Sequence, residues 1–277
     1  MFACEPSYDF GFAPRDYEPE YPELWDGRVL SCCPSLGPTG DKVFDWSGRQ
    51  QSGTLNGFTL GTDWGLSSGK NALAFTSSKY VDFGNILNFD YTDPQSGCVW
   101  LKWASGADGF NLVTKQQNSG SFFGYGLGTG NGSMELFLYA SATSLIVKYP
   151  SYYADSLWHC IGWAYNGSKS STGLKLYADG APVTGTVVTN TLNGSWANTA
   201  SFQWNGRGGA TACFTGSMDG LAIFNNFQPP STFSLLNSIG RGGDYAYRQP
   251  TIAKRIVVPS AASAKNLMPY YLKGANA

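Results

Sequence analysis

The feature that most constrains this chain is a regular series of short apolar stretches that runs from about Leu24 to Gly240. Each stretch ends in a cluster of glycine, asparagine, aspartate or serine, with no long amphipathic helix between them. Many short strands separated by turn residues are typical of a β-sandwich or a β-barrel. Glycine supplies 35 of the 277 residues and aromatic residues supply 15%, which suits tight turns and half-buried pleated surfaces. The sequence therefore predicts one large all-β domain.

Five stretches are rich in β-branched or aromatic residues and are predicted as strands. Residues 71–76 and 79–83 flank a Ser-Ser turn, and residues 97–103 are predicted to form a central strand. Residues 133–139 and 144–149 are joined by a short turn of alanine, serine and threonine. These stretches predict the core of an antiparallel sheet.

One hairpin and one helix are also predicted. In residues 174–183 apolar residues alternate up to an Asp-Gly turn at 179–180, where glycine accepts the positive φ that the turn requires. Residues 229–240 predict a short helix with Ser231 as its N-cap and Gly240 at its end.

Glycine occupies every second position from Gly124 to Gly132. Because this run lies between predicted strands, we interpret it as a flexible or closely packed loop. The run is not followed by Lys-Ser or Lys-Thr and a helix, so it does not match a phosphate-binding loop.

Opposite charges gather at the two ends of the chain. Residues 1–26 hold seven acidic residues and one basic residue, whereas residues 241–277 hold six basic residues and one acidic residue. We predict an acidic extended arm at 1–26, a neutral body at 27–240 and a basic extended arm at 241–277; two solvated tails are the alternative. The residues predicted to make assembly contacts are Glu18, Glu20, Glu23, Arg248, Lys254, Arg255, Lys265 and Lys273.

The net charge of −1 argues against nucleic acid or an anionic membrane as a partner. The N-terminus has no basic segment followed by an apolar one, and no apolar run approaches the ~20 residues of a membrane span. We therefore expect synthesis in a cytosol. In such a reducing compartment the cysteines are predicted to be buried thiols, since none has Cys-x-x-Cys spacing; they are Cys4, Cys32, Cys33, Cys98, Cys160 and Cys213.

Five segments, in order, resemble the laminin-G-like family of the concanavalin A-type lectin and glucanase superfamily. They are Asp45-Trp-Ser-Gly-Arg-Gln-Gln-Ser-Gly-Thr-Leu, Ala72-Leu-Ala-Phe followed by Tyr80-Val, Val99-Trp-Leu-Lys-Trp, Leu157-Trp-His-Cys-Ile-Gly-Trp leading into the hairpin, and Phe214-Thr-Gly-Ser-Met-Asp-Gly-Leu-Ala-Ile-Phe before the helix. The resemblance covers roughly residues 25–240 and implies a two-sheet antiparallel jelly-roll sandwich. Lectins, adhesion modules, virion proteins and hydrolases share this architecture, so it implies little about chemistry.

The resemblance also implies a structural calcium ion near the opening loop and the final strand. The matching positions are Asp45 and Asp219, and hard oxygen ligands of this kind suit calcium. Gly220 stands where a second acidic residue is common, which removes a possible ligand. Otherwise, both aspartates serve as caps of turns or backbone groups.

Glycosidases of this fold need two carboxylates that face the cleft from one strand. Glu135 is the one glutamate of the body and stands alone in its strand, so we interpret it as a solvent-facing strand residue. His159, the single histidine of the chain, is interpreted as a strand histidine paired to a neighbour. The sequence therefore predicts no enzymatic activity.

Aromatic residues in loops can stack on sugars. The candidates are Trp64, Tyr152, Tyr153, Trp196 and Trp204, with packing in the core as the alternative role for each.

The function predicted first is that of a structural or adhesion protein on a virion-like assembly, such as a capsid decoration or a fibre-associated protein. A fainter resemblance to proteins encoded near structural genes of tailed bacteriophages prompts this hypothesis. Its partners would be the capsid or further copies of the chain, and it would lie on the virion surface after synthesis in the host cytoplasm. The alternative is an extracellular glycan-binding module of a cellular surface protein, and a glycoside hydrolase comes third.

Overall fold

The computed structural model describes residues 21–104, 111–118, 122–130, 133–150, 153–211 and 213–243. The strands in these ranges are β1 (Arg28–Cys32), β2 (Lys42–Val43), β3 (Gly53–Asn56), β4 (Trp64–Ser67), β5 (Lys70–Phe75), β6 (Tyr80–Asp82), β7 (Gln95–Lys102), β8 (Val113–Gln116), β9 (Gly124–Gly130), β10 (Ser133–Ala140), β11 (Thr143–Tyr149), β12 (His159–Tyr165), β13 (Leu174–Ala178), β14 (Ala181–Val183), β15 (Thr186–Asn190), β16 (Phe202–Trp204) and β17 (Gly216–Phe224). Short 3₁₀ turns lie at Pro22–Leu24, Pro34–Leu36 and Ser171–Gly173, and the α-helix α1 spans Pro230–Ile239.

The strands form two antiparallel sheets. One has eight strands in the order β14-β13-β12-β7-β17-β5-β4, with β1 also paired to β17. The other has nine strands in the order β15-β11-β10-β9-β8-β16-β6-β3-β2. The predicted two-sheet jelly-roll sandwich is therefore confirmed.

One continuous apolar core lies between the sheets. Leu73, Val99 and Ile161 of the eight-stranded sheet and Leu136 and Leu145 of the nine-stranded sheet belong to the same buried cluster. Burial of alternate side chains along each strand holds the sheets together, because each buried leucine or isoleucine stabilises the fold by about 1.5–3 kcal/mol.

Helix α1 covers the outer face of the eight-stranded sheet. The ring of Phe233 stacks on Tyr177 with 4.2 Å between ring centroids. The predicted helix and its end at Gly240, which has φ 75°, are confirmed. The predicted N-cap is wrong: Pro229 occupies that position, and Ser231 lies inside the first turn. No helix within the described ranges is long and apolar enough to cross a membrane.

Several local predictions are confirmed and others are corrected. The 174–183 hairpin is present as β13 and β14, and residues 133–139 and 144–149 form the neighbouring strands β10 and β11. The stretches 71–76 and 79–83 are strands too, but they belong to different sheets, so the Ser-Ser turn joins the two layers. The glycine run from 124 to 130 is the buried strand β9 rather than a loop.

The predicted boundary of the N-terminal arm is wrong at its last residues. Leu24 and Trp25 are 0% and 2% exposed and pack beneath helix α1 against Leu236. Residues 21–26 therefore belong to the body. Glu23 lies exposed in the 3₁₀ turn of this segment. The other residues predicted to make assembly contacts, and Cys4, lie outside the described residues.

The contact between α1 and the sheet gives a stability prediction. A Cβ atom on Gly162 would lie 2.2 Å from Cδ1 of Phe233. We expect Gly162→Ala to lower the free energy of unfolding by about 1–3 kcal/mol, because overpacking forces the helix off the sheet. Urea denaturation followed by tryptophan fluorescence measures this change. In the matched control Gly65→Ala, the new Cβ has no neighbour closer than 3.8 Å, so equal losses in both variants would contradict the prediction.

Candidate functional site

A groove on the outer face of the nine-stranded sheet is the candidate site, and strand β9 forms its floor. Tyr125 and Leu127 point into the core, so the alternate residues of β9 lie on the outer face. All of these outer residues are glycine: Gly124, Gly126, Gly128 and Gly130. The outer face of the strand therefore has no side chains of its own, and at Gly126 it is covered by the side chains of Phe137 and Thr114.

Steric contacts require glycine at this floor. A Cβ atom on Gly126 would lie 2.7 Å from Cζ of Phe137 and 2.8 Å from Cγ2 of Thr114. On Gly124 it would lie 2.0 Å from the carbonyl oxygen of Lys115, and the φ of 137° at Gly124 also favours glycine. Any other residue at position 124 or 126 would force the neighbouring strands or side chains to move.

Strand β10 supplies one wall, because each of its outward side chains stands opposite a glycine. The register pairs Glu135 with Gly128, Phe137 with Gly126 and Tyr139 with Gly124. The rings of Phe137 and Tyr139 lie 5.7 Å apart, and Phe137 is the more deeply buried of the two. This wall combines an aromatic surface with a carboxylate.

The opposite wall consists of Gln116, Phe122 and Arg207. The hydroxyl of Thr114 donates a hydrogen bond to the carbonyl oxygen of Gly206, which holds the loop that carries Arg207 against the sheet. The two walls and the floor enclose a volume of about 260 Å³.

Arg207 is held in a fixed orientation. Its Nη1 donates to Oε1 of Gln116 at 3.0 Å and its Nε to Oδ1 of Asn118 at 3.4 Å. Its guanidinium lies 4.7 Å from the centroid of the Phe122 ring. Burial lowers the pKa of Arg207, an effect that Tyr139 partly opposes.

The acidic side of the groove is Glu135. Nζ of Lys148 on strand β11 lies 3.5 Å from Oε2 of Glu135. Burial and the charge of Glu135 raise the pKa of Tyr139, so this phenol stays protonated at neutral pH and can donate a hydrogen bond. Glu135 does lie on the outer face of its strand, as predicted. Glycosidases use two carboxyl groups, and Glu135 is the one carboxylate among the described residues that line the groove.

Asp45 caps the opening loop. Its Oδ1 accepts hydrogen bonds from the backbone N–H groups of Ser31 (3.0 Å) and Ser47 (2.8 Å). Its Oδ2 accepts from the Ser47 hydroxyl (2.8 Å) and the Gln51 N–H (3.0 Å). Four protein donors thus occupy the carboxylate that calcium would need.

Asp219 is fully buried where β17 changes partner from β5 to β1. Its Oδ1 accepts from the N–H groups of Ser35 (2.9 Å) and Gly220 (2.8 Å), and Nη1 of Arg241 lies 3.4 Å from its Oδ2. Burial raises the pKa of Asp219 to about 7, although Arg241 and the two N–H donors act in the opposite direction.

The two aspartates do not fit the calcium site that the resemblance implied. A guanidinium beside Asp219 repels a cation, and the carboxylate of Asp45 is already saturated. The described residues contain no group of three or more histidine, cysteine, aspartate or glutamate side chains that could hold a metal ion. Both aspartates serve as backbone caps, the alternative role considered for them.

Three of the aromatic candidates lie in the core, so the prediction that they stack on sugars is wrong. Trp64, Trp196 and Trp204 are 5%, 0% and 0% exposed. The indole N–H groups of Trp64 and Trp196 donate to backbone carbonyls inside the protein. Tyr153 is half-buried with its ring against His159, and Tyr152 lies outside the described residues. The five described cysteines are buried and outside any disulfide, as predicted.

His159 is held between two carboxylates. Its Nδ1 lies 2.7 Å from Oδ2 of Asp179, and its Nε2 lies 3.0 Å from Oδ1 of Asp155. Burial lowers the pKa of His159, but the hydrogen bonds and charges of Asp179 and Asp155 outweigh burial and raise it above the usual value. The interpretation of a paired strand histidine is confirmed.

Four residues of the groove were not predicted from the sequence: Phe122, Phe137, Tyr139 and Arg207. A usable signal was present: alternate glycines on one predicted strand region are followed directly by a strand with Glu135, Phe137 and Tyr139 at alternate positions. Alternate residues of a strand lie on the same face of a sheet. Two neighbouring strands with these patterns therefore place a row of glycines beside a row of large side chains on one face.

Two stacked antiparallel sheets of eight and nine strands define a jelly-roll sandwich. The family model Laminin_G_3, of the concanavalin A-like lectin/glucanases superfamily, matches residues 75–230, which is more than half of the chain. The chain belongs to this family. No curated protein matches the sequence.

Solved structures with the same fold have low sequence identity to this chain. The binding domain of Paraclostridial Mosquitocidal Protein 1 has a TM-score of 0.56 and 16% identity, over 77% of this chain and 52% of that one. The botulinum neurotoxin serotype D binding domain has a TM-score of 0.51 and 16% identity, over 77% and 52%. Domain 4 of AbnA, a GH43 extracellular arabinanase from Geobacillus stearothermophilus solved with arabinotriose, has a TM-score of 0.52 and 14% identity, over 75% and 96%. The chain thus spans about half the length of the first two and nearly all of the third.

The carboxylates of Asp155 and Asp179 give a prediction for the titration of His159. We expect the imidazole to titrate above about 6.5 in the folded, tag-free protein, and Asp179→Asn to lower that pKa. The stabilisation from this pair is then fully present below the unfolded pKa and is lost as the pH rises through the folded pKa. Because the chain has a single histidine, one proton NMR resonance reports the titration.

Asp41→Asn, at an exposed aspartate, is the control for the histidine titration and should leave the pKa unchanged. A wild-type imidazole that titrates below the unfolded value would contradict the pairing.

Proposed function

We propose that this chain is a non-catalytic carbohydrate-binding module that holds its ligand in the glycine-floored groove. The observation that carries the proposal is the arrangement of Phe137 and Tyr139 against Gln116 and Arg207 across a floor without side chains. Pyranose and furanose rings present apolar C–H faces and a rim of hydroxyls. An aromatic wall facing a polar wall is complementary to both parts.

The groove supports specific roles for its residues. The ring of Tyr139 offers a partly exposed aromatic edge to a sugar, while its hydroxyl donates a hydrogen bond. The carboxylate of Glu135 accepts hydrogen bonds from sugar hydroxyls, and the amide of Gln116 can do both. A volume of about 260 Å³ is at the small end of ligand pockets and suits roughly one or two sugar rings.

The comparisons support the same class of function. Domain 4 of the arabinanase, solved with arabinotriose, is a carbohydrate complex on this fold, and the chain covers 96% of it. The mosquitocidal and neurotoxin structures are named as binding domains. These likenesses support a binding role for this chain, in an extracellular or surface setting.

A second proposal is the virion-surface role, and it concerns attachment of the module rather than its ligand. The opposite net charges of residues 1–26 and 241–277 favour contacts between copies of the chain or with a capsid. Arg241, the first residue of the basic segment, is fixed to the body by hydrogen bonds to the carbonyl oxygens of Asn71 and Ser67. Removing residues 244–277 should therefore leave the body folded and abolish self-association in sedimentation velocity at low salt. Unchanged association of the truncated chain would contradict this proposal.

Carbohydrate binding is tested with Tyr139→Ala and Phe122→Ala. A glycan array of the wild-type protein identifies a bound oligosaccharide, and calorimetric titration measures its Kd. We expect Tyr139→Ala to weaken binding about tenfold, because an aromatic contact contributes about 0.5–1.5 kcal/mol beyond its buried area. Phe122→Ala should weaken binding as well, because the Phe122 ring supports the guanidinium of Arg207 at 4.7 Å.

The matched control is Phe227→Ala, an exposed phenylalanine in the connection between β17 and α1, which should leave the Kd within a factor of two. Near-ultraviolet circular dichroism verifies that each variant is folded. A wild-type array with no bound glycan, or a Kd that is unaffected by both groove substitutions, would refute the proposal.

A further inference from the structure

Arg207 is the one basic residue among the described residues that line the groove, and its contacts are all with neutral groups. Arg207 contacts the amide oxygens of Gln116 and Asn118 and the ring of Phe122. Two of the five N–H donors of a guanidinium are engaged in these hydrogen bonds, while Nη2 has no hydrogen bond to a described residue.

The acidic residue of the groove does not balance this charge. Glu135 stands across the floor and is paired with Lys148, whose Nζ lies 3.5 Å from its carboxylate. The pair is close to neutral. Among the described lining residues, the positive charge of Arg207 therefore remains without a counter-charge.

Arg207 is half-buried, and partial burial of a cation among neutral groups costs free energy that a ligand with an anionic group can recover in part. The lowered pKa of Arg207 reports this cost. The guanidinium is also held by three contacts before any ligand arrives, so little side-chain entropy remains to be lost on binding. A fixed planar fork with free N–H donors suits the two oxygens of a carboxylate or a sulfate.

We propose that the ligand of this groove is an acidic carbohydrate, with a carboxylate or sulfate group that binds Arg207 while the sugar ring packs on Tyr139. This inference rests on the proposed carbohydrate-binding function and specifies its ligand class. Uronic acids carry a planar carboxylate and sulfated sugars carry a tetrahedral sulfate. Both groups offer two oxygens to a guanidinium, and the experiment separates them.

The experiment compares oligosaccharides that differ in charge alone. Galacturonic acid oligomers are measured against the same oligomers after carboxyl reduction, and sulfated galactan oligomers against their desulfated forms. We expect at least one acidic member to bind at least about tenfold more tightly than its neutral counterpart by calorimetry. Its Kd should also rise in 0.5 M sodium chloride, because salt screens partly exposed ion pairs over ~3–8 Å.

Variants of Arg207 connect this preference to the structure. Arg207→Gln should remove the preference, so that the acidic and the neutral member bind with Kd values within a factor of three of each other. Arg207→Lys keeps the charge without the planar fork and should retain part of the preference. Arg49→Gln, which removes an exposed arginine before strand β3, is the matched control and should keep the wild-type preference.

The outcomes separate the two proposals. If neutral and acidic members bind equally and Arg207→Gln changes neither, the module binds carbohydrate but this inference is wrong. If no member of either series and no glycan of the array binds, the proposed function fails and the inference fails with it. If Arg207→Gln does not fold, the preference of the wild type and the result for Arg207→Lys still decide the question.

Discussion

Strand β9 runs through the nine-stranded sheet with side chains on one face only. Tyr125 and Leu127 secure it to the core, and the opposite face carries four glycines. At Gly126 the space of a methyl group is already occupied by Phe137 and Thr114. This close approach sets the depth of the groove, the position of the β10 side chains and the path of the loop that holds Arg207.

A second constraint lies in the eight-stranded sheet. Strand β17 pairs with β5 over its first half and with β1 over its second half, and the change falls at Asp219 and Gly220. The carboxylate of Asp219 satisfies the backbone N–H groups that this change exposes, and Arg241 neutralises the carboxylate. The same arginine joins the end of the helical segment to the edge strand β4 and its neighbour β5. Closure of the body therefore depends on a buried ion pair far from the groove.

The fold could be predicted from the sequence to the level of class, strands and turns. Short-range patterns carried this information: the Asp-Gly hairpin, the helix that ends at Gly240 and the five ordered segments of the family. Short-range patterns do not determine which distant strands pair. They therefore did not predict that residues 71–76 and 79–83 belong to different sheets.

Most residues of the site were not predicted, for a related reason. Trp196 and Trp204 look like binding residues by type, but burial depends on contacts such as those with Tyr125 and Phe75. Arg207 reaches the groove from a loop about 70 residues after Phe137 in the sequence.

The alternation along β10 has a consequence for how this module can diversify. Leu136 and Leu138 contribute to folding, while Glu135, Phe137 and Tyr139 face the ligand side. Heritable changes at the second set can alter the surface of the groove without touching the first set. Gly124 and Gly126 of β9 stand apart from both sets, because a side chain there would collide with the neighbouring strands. Homologues that keep these glycines but vary the odd-numbered positions of β10 should therefore share one architecture and differ in the surface that the groove presents.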